Sequence, residues 1–260
     1  MLYILTWNVT RRSASVLDAL GPHGPFDLVT LQEVRIDYAN EFRERLAAAG
    51  LGQVHYSGRP RSEKKRYGNM IGSRLPWPQL LAQVSVRWNC CDVWIISAHI
   101  PNGIANGWDK IDTFRALAEL VQQTRCRPCI ITGDFNEPRS SIQDGRIVTF
   151  GQDADSRGRF EYWGKWTFAG RVGTGKEWDT AVRWLFERQR EHGLRHAYWD
   201  VHGPATVGVS HVSHGQPRWF DHIFVSEHFQ VEACEYLHDL RGPGLSDHSA
   251  LATRVNLRSV

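Results

Sequence analysis

The chain has 260 residues, of which 42% are hydrophobic and 23% charged, with a net charge of +3. These values are typical of a folded soluble protein and exclude dominant disorder, collagen and coiled coil. No apolar run approaches the ~18 residues of a membrane helix, and the start lacks a secretory signal, so we expect no membrane insertion. Five cysteines are too few for a disulfide scaffold, which favours a cytoplasmic location.

The predicted elements alternate short apolar strands with amphipathic helices, which indicates an α/β protein. There is no internal repeat and no linker rich in Gly, Ser or Pro, so we expect one domain over residues 1–260. The strong strand signals are short and rich in Ile, Val, Leu and aromatic residues. In chain order they cover 2–7, 28–31, 93–100, 129–133, 220–225 and 250–255, with weaker signals at 52–57, 69–74 and 79–88.

Three amphipathic segments predict helices. The first covers residues 37–49, with Asp37 as its expected N-cap and an i,i+4 pair of Glu41 and Arg45 on its surface. The other two predicted helices cover 109–124 and 176–192.

Residues 138–175 predict a long loop, because they are polar and rich in glycine. Basic residues such as Arg157 and Arg171 are interspersed there with aromatic ones such as Trp163 and Trp166. Long loops on compact enzymes commonly carry binding residues, so we expect this segment to contact substrate.

Three local patterns carry weaker alternatives. Cys126 and Cys129 form a Cys-x-x-Cys motif, for which a structural role is favoured over redox or zinc chemistry because no second pair exists. His211 and His214 are interpreted as part of a plain loop rather than a second metal site. The basic run at 59–66 is interpreted as a solvated surface rather than a phosphate-binding rim.

Polar residues with useful chemistry stand at the ends of most predicted strands, where a rigid scaffold can fix them beside a cleft. The set combines oxygen ligands with two imidazoles and includes no cysteine, which suits Mg²⁺, with Mn²⁺ as the alternative, better than Zn²⁺. Carboxylate-held Mg²⁺ with His and Asn is typical of phosphoryl transfer. The residues are Asn8, Glu33, His99, Asn102, Asp134, Asn136, Asp221, Asp247 and His248.

At these residues the sequence resembles the endonuclease/exonuclease/phosphatase superfamily, whose fold is that of deoxyribonuclease I. The resemblance spans positions 6 to 248 and implies a four-layered α/β sandwich, with two mainly antiparallel sheets packed face to face and helices outside. It also implies metal-dependent hydrolysis of a phosphoester at one edge of the sandwich. The matching segments are Thr6-Trp7-Asn8, Leu31-Gln32-Glu33, Ser97-Ala98-His99-Ile100-Pro101-Asn102, Gly133-Asp134-Phe135-Asn136, Phe220-Asp221-His222-Ile223-Phe224-Val225-Ser226 and Ser246-Asp247-His248.

The resemblance also implies a role for each residue of the metal and water sites. Glu33 matches the principal metal ligand, supported by Asn8 and Asp247. Asp134 matches the carboxylate that orients or deprotonates the attacking water. Asn136 matches the donor that holds this water or the phosphate oxygen.

A second set of matches concerns the phosphate itself. His248 matches the histidine that contacts the scissile phosphate, and Asp221 the carboxylate that orients this histidine. His99 stands where family members carry His or Tyr facing the phosphate, and Asn102 matches a phosphate donor of the abasic-site endonuclease branch. Arg139 closely follows the Gly-Asp-Phe-Asn segment, and we expect it to contact substrate.

Two enzymatic functions are compatible with this set. A nuclease acting on DNA or RNA is favoured by the predominance of Arg and by aromatic residues interleaved with basic ones in 157–171. The alternative is a phosphatase or phosphodiesterase acting on a small molecule or lipid headgroup, which the modest net charge favours. A non-catalytic binding module is disfavoured by the intact site. We therefore expect nucleic acid as the partner, a small phosphate as the alternative, and a monomer; whether Asp134 or His248 takes the proton stays open.

Overall fold

The architecture is that of a computed structural model, in which residues 84–88 and 91 are described by their backbone alone. The basic residues 59–65, Cys126 and part of the predicted strand 79–88 lie outside the described residues. The described residues are 1–58, 66–76, 84–88, 91–125, 127–204 and 206–258.

Strands predominate in the described chain, and most helices are short. The strands are β1 (Leu2–Asn8), β2 (Leu28–Arg35), β3 (Gln53–Tyr56), β4 (Tyr67–Ser73), β5 (Val84–Trp88), β6 (Cys91–His99), β7 (Cys129–Asp134), β8 (Ile142–Gln143), β9 (Arg146–Ile147), β10 (Gln152–Ala154), β11 (Phe160–Tyr162), β12 (Lys165–Phe168), β13 (Arg171–Thr174), β14 (Leu194–His196), β15 (His211–Ser213), β16 (Gln216–Arg218), β17 (Asp221–Ser226), β18 (Phe229–Leu237) and β19 (Ala250–Leu257). The α-helices are α1 (Ala39–Ala48), α2 (Gly103–Asn106), α3 (Asp109–Thr124), α4 (Gly175–Glu187), α5 (Gln189–His192) and α6 (Ala197–His202), with 3₁₀ helices at Ala14–Leu20, Ile36–Tyr38 and His238–Leu240.

Two large sheets form the centre of the molecule. One has the strand order β18-β19-β1-β2-β4-β3, and the other the order β14-β17-β7-β6-β5. Each contains one parallel pair, β1 with β2 and β6 with β7, while the other neighbours in both sheets are antiparallel. The prediction of two mainly antiparallel sheets is confirmed.

An apolar layer joins the two sheets face to face. Within it, the hydroxyls of Thr30 and Thr132 form a hydrogen bond of 2.7 Å from one sheet to the other, which satisfies both groups in the dry interior. Phe42 and Leu46 of α1 cover the outer face of the first sheet, and α3 and α4 cover that of the second. The predicted four-layered sandwich is therefore confirmed. The layer between the sheets includes Leu2, Ile4, Leu28, Ile71, Val93, Ile95, Ile130, Ile223, Val225, Leu251 and Val255.

The strand directions bring the polar strand ends to one edge. Parallel β1 and β2 end together with Asn8 opposite Gln32. Parallel β6 and β7 likewise end together with His99 opposite Asp134. Antiparallel β17 begins at the same edge, so that Asp221 lies opposite Asp134. The topology alone therefore collects residues that are more than 200 positions apart in the chain.

The predicted helices hold with two corrections. Helix 109–124 is confirmed, whereas Asp37 caps nothing: it lies in a 3₁₀ turn, and its carboxylate accepts hydrogen bonds from Arg35 and Arg66 at 2.8 and 2.6 Å. α1 therefore begins later than predicted, at Ala39. The predicted helix 176–192 is divided at Arg188, whose φ of −97° and ψ of 42° interrupt the helix between α4 and α5.

Residues 138–175 form short antiparallel hairpins rather than the predicted loop. The pairs are β8 with β9, β10 with β11 and β12 with β13. Strand β18 was also missed, because a bulge between Val231 and Ala233 interrupts its alternation. In the described part of the chain, no helix has the length and apolar composition that a membrane span requires.

Candidate active site

An open cleft of about 1950 Å³ lies at the edge where the polar strand ends meet. Asn8 and Asp221 are buried behind it, and Asp247 stands beside it with 53% of its side chain exposed. The other predicted site residues line the cleft, namely Glu33, His99, Asn102, Asp134, Asn136, Arg139 and His248.

Glu33 reaches the cleft because strand β2 is bulged. The register with β4 shifts between Leu31 and Val34, and Glu33 adopts a left-handed φ of 56°. One carboxylate oxygen accepts a hydrogen bond of 2.7 Å from Nε of Arg11. The other lies 3.6 Å from Nε2 of His99. The carboxylate is thus held at the cleft, with one oxygen free of hydrogen bonds in the described structure.

Left-handed backbone concentrates at this edge of the molecule. Thr10, Arg11, Glu33 and Asn136 have φ values of 47°, 59°, 56° and 51°. Such conformations cost about 1–3 kcal/mol each for non-glycine residues and persist where the surrounding structure enforces them, which is common at functional sites. Asn tolerates this region better than the others. Strain at this edge is therefore consistent with a functional site.

Asp134 is fixed by amide donors on both of its oxygens. Oδ2 accepts 2.9 Å from Nδ2 of Asn8, and Oδ1 accepts 2.8 Å from the backbone N–H of Asn136. The Asn136 side chain also donates to the Ile100 carbonyl at 3.0 Å. Gly133, before Asp134, has φ 141°, and a Cβ there would lie 1.8 Å from the Ala98 carbonyl oxygen. Only glycine therefore lets β7 approach β6 closely enough to place this carboxylate.

Thr10 links the predicted metal ligands Asn8 and Asp247. Its backbone N–H donates to Oδ1 of Asn8 at 2.9 Å, and its hydroxyl donates to Asp247. Asn8 therefore has one lone pair on Oδ1 left for a metal, while its amide nitrogen donates a hydrogen bond to Asp134.

His248 is paired with buried Asp221 through a hydrogen bond of 2.7 Å between Nδ1 and Oδ2. Burial acts to lower the pKa of His248, but the charge and hydrogen bond of Asp221, with the charges of Asp134 and Asp247, raise it to about 10. The pairing with Asp221 therefore favours the cationic form of His248.

His211 belongs to the site, contrary to its interpretation as plain loop. Its ring lies 4.6 Å from that of His248, and its Nε2 lies 3.4 Å from Oδ2 of Asp247. Partial burial acts to raise the pKa of Asp247, but hydrogen bonds from His211 and Thr10 lower it well below its usual range. Sequence spacing carried no signal for His211, because the contact depends on the hairpin of β15 and β16.

The donor set fits a divalent cation held mainly by carboxylates. Glu33 supplies a charged oxygen at the cleft, as a hard cation requires. Among the described residues, two groups of three have their donor atoms within 4.8 Å of one another. They are His211 with Asp247 and His248, and Asp134 with Asp221 and His248. Glu33 belongs to neither group, and the imidazole of His211 in the first group suits Mn²⁺ better than Mg²⁺.

His99 and Asn102 both stand where a phosphate could meet them. Nε2 of His99 lies 3.9 Å from Oδ2 of Asp134, and 17% of the side chain is exposed. Oδ1 of Asn102 accepts 2.8 Å from the backbone N–H of Ile104 and so caps α2. Its Nδ2 makes no hydrogen bond within the described structure, so it remains available as the expected donor.

A buried ion pair supports the floor of the cleft. Nζ of Lys110 lies 3.1 Å from Oε1 of Glu137 and donates 2.6 Å to the Asn136 carbonyl. Burial lowers the pKa of Lys110, against the opposing charge of Glu137. Glu137 also accepts from the Trp178 indole and the Phe150 backbone, at 2.6 and 3.0 Å. The pair ties helix α3 to the segment that carries Asn136.

Replacing Lys110 by Met is expected to destabilise the protein by about 3–5 kcal/mol, because Glu137 would remain buried without its counterion. Denaturant unfolding measures the loss. Lys176→Met on the exposed surface of α4 is the matched control, and a loss no larger than in this control would contradict the structural role of the pair.

An aromatic wall forms the far side of the cleft. Trp163 and Trp166, from the predicted binding segment, pack against Trp108 and Trp178 with ring centroids 5.8–6.2 Å apart. Trp163 also donates its indole N–H to the Phe150 carbonyl at 2.8 Å. Both Trp163 and Trp166 are half-buried and line the cleft, so they combine a packing role with a surface for stacking.

Trp166→Ala is expected to raise KM roughly ten-fold or more with a smaller change in kcat, since stacking of one base on an aromatic ring contributes about 1–3 kcal/mol. Steady-state kinetics on an oligonucleotide separates the change in KM from the change in kcat. Trp184→Ala, a half-buried tryptophan of α4 away from this cleft, is the control. A lower melting temperature with an unchanged KM would show that Trp166 only packs.

The comparisons with known proteins agree with this geometry. The sequence profile described as "Endonuclease/Exonuclease/phosphatase family" matches residues 5–248. No match was found among curated proteins.

Solved structures with the same fold are similar over nearly the whole chain. An AP endonuclease from Archaeoglobus fulgidus has a TM-score of 0.67 at 18% identity, covering 99% of this chain and 100% of the other. The 3′ phosphatase NExo from Neisseria, bound to a product DNA hairpin, has a TM-score of 0.66 at 19% identity, with 98% and 100% covered. D. rerio TDP2, complexed with single-strand DNA product, has a TM-score of 0.65 at 13% identity, with 98% of each chain covered. At these identities the similarity establishes the fold.

Proposed function

The chain belongs to the endonuclease/exonuclease/phosphatase family of phosphoester hydrolases, and on that premise we propose that it is a Mg²⁺-dependent nuclease that cleaves phosphodiester bonds by attack of water. The observation that carries the proposal is the composition of one cleft. Acceptor carboxylates, a cationic imidazole and an aromatic wall line a volume of about 1950 Å³. Sites for small ligands usually occupy about 300–1,000 Å³, so a polymer accounts better for this space.

The phosphate is assigned to the space between His99 and His248. A phosphodiester carries negative charge, and more charge develops on its oxygens as water adds. His248 meets this charge as a cation because Asp221 holds its proton. The rigid Asp221 pair also fixes the ring, so that Nε2 is directed to the substrate without reorganisation.

The attacking water is assigned to Asp134. Asp221 raises the pKa of His248 and so favours its protonated form, which has no lone pair with which to accept a proton. Asp134, by contrast, accepts hydrogen bonds on both oxygens and is held in place. We therefore assign orientation and deprotonation of the water to Asp134, with Asn136 and Asn8 as positioning residues. A divalent cation held by Glu33, Asn8 and Asp247 would supply further neutralisation of phosphate charge.

We favour nucleic acid over a small phosphate as the substrate because of the aromatic residues in the cleft and by analogy with structurally similar proteins. Trp163 and Trp166 offer ring faces that suit bases, and the cleft continues from them to the catalytic edge. Two of the structurally similar proteins are described with DNA products. No described feature specifically favours an inositol phosphate or lipid headgroup.

A substrate panel tests the proposal. Plasmid, single-stranded DNA, RNA, inositol phosphates and nucleotides are incubated with Mg²⁺ at low and high salt. We expect hydrolysis of at least one nucleic acid, with kcat/KM falling steeply as salt rises, because phosphate contacts release counterions. Hydrolysis of inositol phosphates or nucleotides alone, with little dependence on salt, would replace the nuclease proposal by the phosphatase alternative.

A further inference from the structure

Two arginines lie side by side in the cleft, outside the set of predicted metal ligands. The guanidinium carbons of Arg139 and Arg218 lie 4.6 and 5.5 Å from the centroid of the Phe150 ring. The two residues form a β-bridge, both are half-buried, and both line the cleft. We call them the arginine pair.

The positive charge of the arginine pair is only partly balanced by carboxylates of the described residues. Asp153 accepts from Arg139 at 2.9 Å, but its side chain is 67% exposed, so solvent weakens this contact. Arg218 forms no ion pair with any described residue. Burial and the charge of Arg139 lower the pKa of Arg218, and Nε of Arg139 is buried without an acceptor among the described residues. Two cations facing one exposed carboxylate leave a local excess of positive charge, which an anion would compensate.

The arginine pair stands next to the catalytic edge. Arg218 is the direct cross-strand partner of His211 in the hairpin of β15 and β16, so the two side chains share a face. The His211 ring in turn lies 4.6 Å from that of His248. An anion bound by the pair would therefore be a neighbour of the phosphate at His248, within one connected substrate.

We propose that Arg139 and Arg218 form a second phosphate site, which binds the phosphate group adjacent to the one being hydrolysed. The proposal rests on the proposed function and narrows the substrate class to phosphodiesters that carry a further phosphate on the same strand. Planar guanidinium groups bind phosphate through paired N–H donors, and the face of Phe150 holds them in place. A diester with a single phosphate would leave this site empty and would bind more weakly.

The test compares two oligonucleotides of equal length. One has phosphodiesters at all linkages, and the other has a single phosphodiester flanked by neutral methylphosphonates. Arg218→Gln is expected to lower kcat/KM on the fully charged strand about ten-fold, as for loss of a charged hydrogen bond, and to have a smaller effect on the singly charged one. Arg139→Gln should likewise lower the ratio of kcat/KM on the fully charged strand to kcat/KM on the singly charged strand. Arg43→Gln, which removes an exposed charge on α1, is the control and should leave the ratio unaltered.

A binding measurement separates this proposal from the proposed function. Fluorescence anisotropy with labelled single strand in chelator gives the slope of log affinity against log salt, which should become shallower by about 0.7 in Arg218→Gln. A shallower slope without any cleavage by the wild-type protein would retain the phosphate site and reject the nuclease. The phosphate site alone would be overturned if the wild type cleaves the strand while Arg218→Gln and Arg139→Gln behave like Arg43→Gln. The comparison covers both the ratio of kcat/KM on the two strands and the slope of log affinity against log salt. Melting temperatures verify that each variant is folded.

Discussion

Glu33→Gln is expected to lower kcat/KM for phosphodiester hydrolysis by at least about 10³-fold, since a metal contributes several kcal/mol to stabilisation of the transition state. The substitution keeps the size of the side chain but removes the charge that attracts a divalent cation. The bulge and the left-handed φ that place residue 33 should remain, because they depend on strand pairing with β4. Steady-state rates with Mg²⁺ measure the loss.

The control for this experiment is Glu44→Gln, an exposed residue of α1 with no contact to the cleft. Both variants should melt near the wild-type temperature. Turnover of Glu33→Gln close to that of the control would show that Glu33 is not the principal ligand, and the His211 group would become the better candidate for the metal centre.

His248→Ala is expected to cost about 10²- to 10⁴-fold in kcat/KM, the usual effect of one acid–base or electrostatic group. Asp221→Asn should slow the reaction and also move its pH dependence. In the proposed mechanism the protonated imidazole is the active form, and its pKa of about 10 is raised by Asp221. Loss of that charge lowers the pKa of His248, so the alkaline limb of the pH–rate profile should move to lower pH.

The position of the limb is the informative quantity, because any damage to the site can slow turnover. Asp239→Asn serves as control, since Asp239 forms a similar contact of 2.7 Å with His23 away from the cleft. An alkaline limb of Asp221→Asn that coincides with those of the wild type and the control would show that the pair does not set the charge of His248. The proton assignment to Asp134 would then lose its main argument.

The elements that could be predicted from sequence are those with a strong local pattern. Helix α3 matches its predicted bounds because Ile111, Phe114, Leu117 and Val121 repeat at helical spacing over about three turns. The strand cores were found because their apolar runs end at polar residues. The strands in residues 138–175 were not predicted, since two to four residues are too few to show a period.

The residues of the candidate site likewise fall into two groups, those that a local motif identifies and those that only tertiary packing brings to the cleft. Strand-end residues such as Glu33, Asp134 and His248 could be named from their motifs, and the fold brings them to one edge. The partners that come from tertiary packing could not be named. Arg11 reaches Glu33 through a strained turn, and Arg218 joins the cleft through a hairpin whose residues have no distinguishing pattern.

Metal-dependent cleavage of nucleic acid is measured on one end-labelled oligonucleotide with the wild-type protein in Mg²⁺, then in excess chelator, then after Mg²⁺ is restored. We expect cleavage in Mg²⁺, its loss in chelator and its return with the metal. Full cleavage in the presence of chelator, or none under any condition while Mg²⁺ supports hydrolysis of a small phosphate, would contradict this expectation.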